Sequence, residues 1–336
     1  MLPTPTSPRS RGPSPGRPAL SGSASFSPSG ALDPADTHPV LHPGRVAVIT
    51  GAASGIGAAA ARLLASLHHM KIALADLPST LPALEALAAE LEEIVGEGNV
   101  LVVPTDVRVV SEVERLRERV YEAWSEVGVL MNNAGVNGGG KSWDGLDAWH
   151  DVFAVNLFGV VNVQQVFVPA MLHQENPAMV INTGSKQGIT NPPGNTAYNA
   201  SKAAVKSLTE GLAHQLRERN GGHGGGGGVT AHLFVPGWTF TGLTGQHDGG
   251  EKPPGAWTAE ETVRYMLEHV AKGDFYVLCP DGDTGPEIDP LRIMWAAADV
   301  AQGRPALSRW HRDYKALFEE YMREGQALAQ EGGLRL

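Results

Sequence analysis

Apolar residues in this 336-residue chain fall into short continuous runs separated by longer stretches of helical period. Runs that are nearly all apolar are typical of strands buried on both faces of a sheet. Seven such runs occur: RVAVIT, KIALAD, NVLVVPTD, VGVLMNN, AMVINTG, VTAHLFV and FYVLC. Strands that alternate with helices indicate βαβ units. The pattern therefore predicts a single α/β domain, doubly wound, with a parallel seven-stranded sheet flanked by helices.

Helices are predicted between these runs. The clearest are GIGAAAARLLASL, ALEALAAELEEIV and SEVERLRERVYEAW, followed by long helices near 152–175 and 196–219. The stretch TAEETVRYMLEHVA begins with Thr258 and has Glu261 three residues later, which is the pattern of a capping box. The most apolar helix, from Val152, is interrupted by Asn156 and other amides, which favours a buried helix over a membrane span.

The two ends of the chain differ from this pattern. Residues 1–40 are rich in Pro, Ser and Gly, so we expect a disordered tail, followed by a catalytic domain over 44–300. Residues 301–336 are predicted to form a C-terminal helical extension, because one stripe at helical spacing contains Trp310, Tyr314, Leu317, Phe318, Tyr321 and Met322. That stripe packs either on its own body or on another subunit. The run GGHGGGGG at 221–228 is expected to be a loop insertion.

Charge and cysteine content limit the partners and the compartment. The formal net charge is -10, and an acidic body argues against nucleic acid or an anionic membrane as a partner. The single cysteine, Cys279, excludes an intrachain disulfide and favours a reducing, cytoplasmic location. The arginines of the tail are also compatible with an organelle-targeting peptide, although its prolines oppose the amphipathic helix of such peptides. The twelve histidines show no metal-ligand spacing, so no metal site is expected.

A glycine-rich turn, TGAASGIG at 50–57, joins the first strand to the first helix. Glycines at this junction allow a tight turn and a close approach to a pyrophosphate, and the helix N-terminus offers free N–H groups to the phosphates. The turn therefore predicts a dinucleotide site, with contacts from Gly51, Ser54, Gly55, Ile56 and Gly57.

The second strand run ends in Asp76. A carboxylate at this point accepts hydrogen bonds from the two ribose hydroxyls of an adenosine and repels a 2′-phosphate. The segment ALADLPST contains no arginine or lysine that could bind such a phosphate. NAD is therefore predicted as the cofactor in preference to NADP.

Further motifs follow in order, and with them the chain resembles the short-chain dehydrogenase/reductase family, in its compact single-domain branch. The resemblance covers about residues 44–241 and implies a Rossmann-type fold. It rests on TGAASGIG, TDV, NNAG, VNLFG, INTGSKQG, YNASK and PGWTFT. It implies cofactor contacts from Asp106, Val107, Asn133, Gly135, Tyr198, Lys202, Thr239 and Thr241. It also implies a catalytic tetrad of Asn156, Ser185, Tyr198 and Lys202. Residues 280–336 fall outside the resemblance.

The pair Tyr198 and Lys202 lies one helical turn apart, on one face of a helix. At ~5 Å and an effective dielectric of ~20, an ammonium would stabilise a phenolate by roughly 3 kcal/mol. We therefore expect Lys202 to lower the pKa of Tyr198 by about 2 units, toward the range useful for a general acid or base. Ser185 would bind the substrate oxygen, and Lys186 is expected to be a solvated lysine. The resemblance to the family implies that Asn156 helps hold a water that links Lys202 to solvent.

These features predict an oxidoreductase that transfers a hydride between NAD and a secondary alcohol or ketone. Two alternatives on the same scaffold are an epimerase or dehydratase and a dinucleotide sensor without catalysis. The first normally carries a TGxxGxxG loop, which differs from the loop here, and an intact tetrad argues against the second. The segment Gly242–Trp257 is expected to form a lid, and Trp143, Trp238 and Trp257 either line an apolar pocket or lie in the core. A homodimer or homotetramer is expected.

Overall fold

A computed structural model of the chain describes residues 38–139, 141–221, 228–245, 251–280, 282 and 287–331. Within these ranges, seven parallel strands form one sheet, in the order β3-β2-β1-β4-β5-β6-β9. They are β1 (Val46–Thr50), β2 (Lys71–Ala75), β3 (Val100–Val102), β4 (Val129–Asn132), β5 (Ala178–Thr183), β6 (Val229–Val235) and β9 (Tyr276–Leu278). Two short strands, β7 (Thr239–Phe240) and β8 (Trp257–Thr258), pair separately. The predicted doubly wound fold is confirmed.

Helices cover both faces of this sheet. They are α1 (Gly55–His68), α2 (Leu81–Val95), α3 (Val110–Trp124), α4 (Leu146–Phe153), α5 (Val160–Met171), α6 (Gln187–Thr190), α7 (Thr196–Arg219), α8 (Ala259–Ala271), α9 (Ile288–Gln302) and α10 (Lys315–Gln330). Thr258 and Glu261 form the predicted capping box at the start of α8. The order in which strands are added to the sheet reverses between β1 and β4, which creates a crevice at the carboxyl ends of these two parallel strands.

The core has two main layers because the strands are apolar on both faces. On one face, α1, α2 and α8 cover the sheet through residues such as Leu64, Leu84 and Met266. On the other face, α3, α5 and α7 pack through Leu116, Phe167 and Leu216. All of these side chains are buried. Cys279, directly after β9, is also buried in the first layer, as its small apolar side chain predicts.

One helical stretch, Leu146–Met171, is long and apolar enough to cross a membrane by length and composition alone. Its polar residues are instead bound inside the protein: Asn182 donates a hydrogen bond to Gln164, and both side chains are buried. The stretch is also not a uniform α-helix, since Ala154–Gly159 form a π-helical turn between α4 and α5. It serves as a central helix of this fold, and the sequence pattern gives no sign of the π turn.

The packed chain begins earlier than the predicted start at residue 44. Val40 and Leu41 are each only 4% exposed and belong to the core layer under α1. The Arg45 guanidinium donates to the carbonyl of Pro39 at 2.7 Å. Residues 38–40 are therefore part of the folded body: Val40 packs in the core, and the His38 ring accepts from the backbone N–H groups of Val40 and Leu41. The rest of the predicted tail and the glycines at 222–227 lie outside the described residues.

The C-terminal extension packs on its own chain. The rings of Phe318 and Tyr321 in α10 lie 5.3 Å and 5.2 Å from the ring of Trp295 in α9. Gly325 of α10 is buried against Leu291 of α9. The predicted boundary at 300 thus falls inside α9. Part of the stripe remains at the surface, since Leu317 is 51% exposed.

Candidate active site

A cleft of about 910 Å³ opens at the carboxyl edge of the sheet, where β1 and β4 diverge. It gathers the predicted residues from seven separate stretches of sequence. Its wall includes Gly51, Ser54, Gly55, Ile56, Asp76, Asp106, Val107, Asn133, Gly135, Ser185, Tyr198, Lys202, Thr239 and Thr241. Two predicted residues lie behind the wall: Gly57 faces the glycine turn, and Asn156 is fully buried.

The glycine turn is shaped by close contacts that exclude side chains. Gly51 has a φ of 67°, and a Cβ there would lie 2.8 Å from the Cα of Ala134. A Cβ at Gly57 would overlap the carbonyl oxygen of Gly51. Ser54 caps α1 with extended backbone and makes no side-chain capping bond. The first N–H groups of α1 therefore face the cleft next to bare backbone, an arrangement that fits a pyrophosphate.

Asp76 lies directly after β2, beside this turn. Its carboxylate accepts hydrogen bonds from the backbone N–H groups of Ala53 at 2.9 Å and Leu77 at 2.7 Å. These two bonds fix the carboxylate at the edge of the cleft, in the position predicted to bind the adenosine ribose. The Asp76 carboxylate therefore also holds the glycine turn in place through Ala53. The sequence gave no sign of this structural role.

Arg108 is a cleft residue that the sequence interpretation missed. Its guanidinium makes a two-point ion pair with Asp106, with distances of 2.9 Å and 2.6 Å from nitrogen to oxygen. This contact lowers the pKa of the Asp106 carboxyl. The only signal in the sequence was the closeness of the two residues in the stretch TDVR.

Asn133 braces the glycine turn from the neighbouring strand. Its side-chain amide donates to the carbonyls of Thr50 at 3.2 Å and Gly51 at 3.3 Å. The Thr50 hydroxyl in turn accepts from the backbone N–H of Asn133 at 3.0 Å. Gly135 lies two residues further on, where a Cβ would approach Asn156 Oδ1 to 3.4 Å and Lys202 Nζ to 3.7 Å. Because glycine has no side chain, position 135 leaves room for the polar ends of Asn156 and Lys202.

Asn156 lies inside the π-helical turn and binds the backbone on both sides of Val136. Its Oδ1 accepts from Val136 N–H at 2.8 Å, and its Nδ2 donates to the Val136 carbonyl at 3.0 Å. The same amide donates to Ser201 Oγ at 3.2 Å. Its side chain thus ties the loop after β4 to the helix of Tyr198 and Lys202, a contact that the resemblance to the family did not suggest.

Tyr198 and Lys202 lie on one face of α7 and are both buried. Lys202 Nζ donates to the carbonyl of Thr183 at 2.9 Å and lies 5.8 Å from the centre of the Tyr198 ring. Burial raises the pKa of the Tyr198 phenol, and its hydrogen bond with Ser185 partly opposes that rise. Burial lowers the pKa of the Lys202 ammonium to about 8.

The predicted lowering of the Tyr198 pKa by Lys202 is therefore wrong for this arrangement. An ammonium with a pKa of about 8 loses its proton before a phenol whose pKa is raised above its ordinary value. It then carries no charge with which to stabilise the phenolate. Desolvation acts on both groups and decides the order in which they lose protons.

Ser185 follows β5 and forms the turn that begins α6. Its hydroxyl accepts from the backbone N–H of Gln187 at 3.2 Å. The next residue, Lys186, is not a solvated lysine as predicted: its side chain is 15% exposed, and its Nζ lies 2.5 Å from Asp289 Oδ2. The partner comes from α9, far along the sequence, and the pattern around INTGSKQG gave no signal for it.

The segment predicted to cover the cleft is fixed at both ends by a short parallel ladder. Thr239 pairs with Trp257 and Phe240 pairs with Thr258. The Thr239 hydroxyl lies 3.0 Å from the Thr262 hydroxyl, and Thr241 caps a short 3-10 turn. Part of the predicted lid, residues 246–250, lies outside the described residues.

The three tryptophans have different surroundings. Trp238 lines the cleft and is 46% exposed. Trp257 packs edge-on against Tyr265, and Trp143 is 84% exposed and does not contribute to the cleft wall. Among the residues that the structure describes, no group of three His, Cys, Asp or Glu side chains is placed to hold a metal ion.

The fold and the cleft together define a dinucleotide-binding enzyme of the doubly wound α/β class. Residues 45–251 match the family model described as short chain dehydrogenase. The chain is 34% identical over 207 residues to a 3-oxoacyl-(acyl-carrier-protein) reductase of Thermotoga maritima, covering 60% of this chain and 76% of that protein. It is 32% identical over 254 residues to a sulfoacetaldehyde reductase of Chromohalobacter salexigens, covering 74% and 95%.

A solved structure gives the same result. A short-chain dehydrogenase/reductase from Burkholderia phymatum, in complex with NAD, matches with a TM-score of 0.67 and 34% identity, over 79% of this chain and 96% of that one. The chain belongs to the short-chain dehydrogenase/reductase family, as its motifs predicted. It is an oxidoreductase built on a nucleotide-binding Rossmann fold.

Proposed function

We propose that this protein transfers a hydride between NAD and a secondary alcohol or ketone, with Tyr198 as the general acid and base. The observation that carries the proposal is that Tyr198, Ser185 and Lys202 meet in the wall of one cleft, with Tyr198 and Lys202 both buried and Ser185 near enough to act on the pKa of the Tyr198 phenol. The phenol and the hydroxyl converge on one point at which a substrate oxygen would lie. The glycine turn and Asp76 would hold the dinucleotide, which supplies the hydride acceptor or donor when bound.

In alcohol oxidation, Tyr198 would act as the phenolate, after losing its own proton toward Lys202, and would take the proton of the substrate hydroxyl while the substrate carbon loses its hydride to bound NAD. In ketone reduction, Tyr198 gives its proton to the carbonyl oxygen while Ser185 donates a hydrogen bond to it. A phenol with a raised pKa is protonated at neutral pH, so it is ready to act as an acid in the reductive direction. Lys202 has a pKa of about 8 and exchanges protons near that pH, so it suits a role in returning the proton to Tyr198.

The preference for NAD rests on Asp76. Its carboxylate is fixed by Ala53 and Leu77 at the edge of the cleft and would accept hydrogen bonds from two free ribose hydroxyls. A 2′-phosphate at the same place would meet a negative charge. Arg108 also lines the cleft, but its guanidinium is bound by Asp106.

The test is turnover by the purified protein. A set of secondary alcohols and ketones is screened with NAD or NADH at the nicotinamide absorbance band, and the accepted substrate is then used with Tyr198→Phe. This variant keeps the ring but loses the only proton that the residue exchanges, so kcat should fall at least about 100-fold. NAD binding, measured by calorimetry, should change much less.

The matched control is Tyr121→Phe, which removes a hydroxyl that binds Gln174 outside the cleft. It should keep native kcat. A Tyr198→Phe protein that turns over within a few-fold of the native rate would exclude Tyr198 as the acid and base. A native protein that binds NAD but turns over no alcohol or ketone would support the sensor function instead.

A homodimer or homotetramer and a cytoplasmic location are part of this proposal. Apolar side chains at the surface of α9 and α10 support self-association, with Met294 53%, Val300 87% and Leu317 51% exposed. Light scattering coupled to gel filtration gives the number of subunits. Imaging of the full chain fused to a fluorescent protein tests the location.

A further inference from the structure

Helix α9 contributes a charged partner to a lysine in the wall of the active site. Asp289 lies in the first turn of α9, and its Oδ2 is 2.5 Å from Nζ of Lys186. Both side chains are largely buried, with 15% of Lys186 and 11% of Asp289 exposed. A pair so close and so shielded from water fixes the position of both groups far more firmly than a surface ion pair would.

Lys186 lies on the substrate side of the cleft. It lines the cleft with its neighbours Ser185 and Gln187, whereas Asp76 lies at the opposite, adenosine end. Its backbone begins α6, because its carbonyl accepts from Ile189 at 3.0 Å and Thr190 at 2.9 Å. The backbone of Lys186 is therefore held in a regular turn, next in sequence to Ser185, whose hydroxyl is proposed to bind the substrate oxygen.

Asp289 is also held from its other side. Its Oδ1 lies 3.4 Å from Nη1 of Arg292, one turn further along α9. Arg309 is close enough for its guanidinium to interact with both Arg292 and Asp289. Asp289 therefore lies among three basic side chains, of which Lys186 is the one in the wall of the cleft.

We propose that the Lys186–Asp289 ion pair determines which substrate charge the enzyme accepts. Resting on the proposed function, this inference makes both residues determinants of specificity. Asp289 offsets the positive charge of Lys186, so the native cleft accepts ketones without a carboxylate at least as well as carboxylated ones. Removal of Asp289 would leave one more positive charge on the substrate side and favour anionic ketones.

The test compares ketones of matched shape that differ in charge: levulinamide with levulinate, and 4-acetylbenzamide with 4-acetylbenzoate. The ratio of kcat/KM for the anionic ketone to that for the neutral one is measured in four proteins: native, Asp289→Asn, Lys186→Met and the double variant. One elementary charge at ~10 Å in an effective dielectric of ~20 changes such a ratio about tenfold. Asp289→Asn should raise the ratio about tenfold, Lys186→Met should lower it, and the double variant should return near the native value.

This ratio does not depend on how much of each preparation is folded, because both ketones meet the same active molecules. The control is Asp313→Asn, which makes the same substitution at a 63% exposed aspartate that does not line the cleft and should leave the ratio unchanged. If the native enzyme reduces these ketones and the kcat/KM ratio is the same in native, Asp289→Asn and Lys186→Met proteins, this inference alone is overturned. A native protein that reduces none of these ketones, nor any in the screen, would overturn the proposed function and this inference with it.

Discussion

Gly188 of α6 lies directly against the main chain of Lys202 in α7. A Cβ at position 188 would lie 2.5 Å from the carbonyl carbon of Lys202, well inside van der Waals contact. Gly188→Ala must therefore push α6 away from α7 and move Ser185, which begins the same turn. We expect kcat to fall about tenfold or more, since misplacement of catalytic groups by about 1 Å costs up to 100-fold.

The same substitution at Gly211 is the matched control. Gly211 lies within α7, and a Cβ there would meet no atom within 4 Å. Gly211→Ala should keep native kcat and raise the free energy of unfolding by up to about 1 kcal/mol, because alanine favours a helix. Equal activity of Gly188→Ala and the native enzyme would show that the contact with Lys202 does not position the site.

Lys202 should make the fold less stable at neutral pH than at alkaline pH. Its pKa is lowered from 10.5 to about 8, so between these values the unfolded chain holds a proton that the folded chain has lost. Stability then rises with pH across that window, and below pH 8 the full cost of about 3 kcal/mol is present. Lys202→Met removes this cost, although it also removes the bond to the Thr183 carbonyl.

Urea unfolding at pH 7 and pH 9.5 measures this effect. The stability of Lys202→Met relative to the native protein should decrease by about 2 kcal/mol between the two pH values. Lys206→Met on the same helix is the control, because the Lys206 ammonium lies at the surface in an ion pair with Glu210. If the free energy of unfolding changes with pH by the same amount in the native protein and in Lys202→Met, the pKa of Lys202 is not lowered in the folded state.

Much of the fold and of the cleft followed from the sequence, because each signal was local. Continuous apolar runs located the strands, and glycines at a strand–helix junction located the turn at Gly51 and Gly55. Parallel strands bring their carboxyl ends to one edge, so residues that follow different strands, such as Asp76 and Ser185, had to meet there. Spacing of four placed Tyr198 and Lys202 on one helical face.

Other features depend on contacts between distant parts of the chain. The pKa order of Tyr198 and Lys202 comes from burial, which no local pattern reveals. The partner of Lys186 lies in a segment outside the family resemblance. Val40 lies at the end of a proline-rich stretch, so its composition suggested a tail, whereas the core beneath α1 buries its side chain.

Asp76 should determine the choice of cofactor. Asp76→Asn keeps the shape of the side chain but removes the charge that would repel a 2′-phosphate. The ratio of kcat/KM for NAD to that for NADP should fall ten- to hundredfold, which corresponds to about 1.4–3 kcal/mol. A native enzyme that prefers NADP would contradict this assignment.

Truncations should locate the start of the folded body. Deletion of residues 1–37 should leave the melting temperature nearly unchanged, because the composition of that stretch gives it little to bury. Deletion of residues 1–41 also removes Val40 and Leu41, each 4% exposed, and should cost about 3–6 kcal/mol of unfolding free energy. Calorimetry of the two proteins gives the comparison. Equal melting temperatures would show that residues 38–41 add no stability.

The π-helical turn at Ala154–Gly159 has a consequence for changes in chain length. A π turn holds one residue more than an α turn, so it behaves as an insertion that the helix has absorbed. Loss of one residue there would restore a regular α-helix from Leu146 to Met171. The helix would then turn Asn156 away from Val136 and release the loop after β4. The deletion would thus make the helix more regular and yet less able to hold the loop at the active site. The extra residue of the π turn is what keeps Asn156 in contact with that loop.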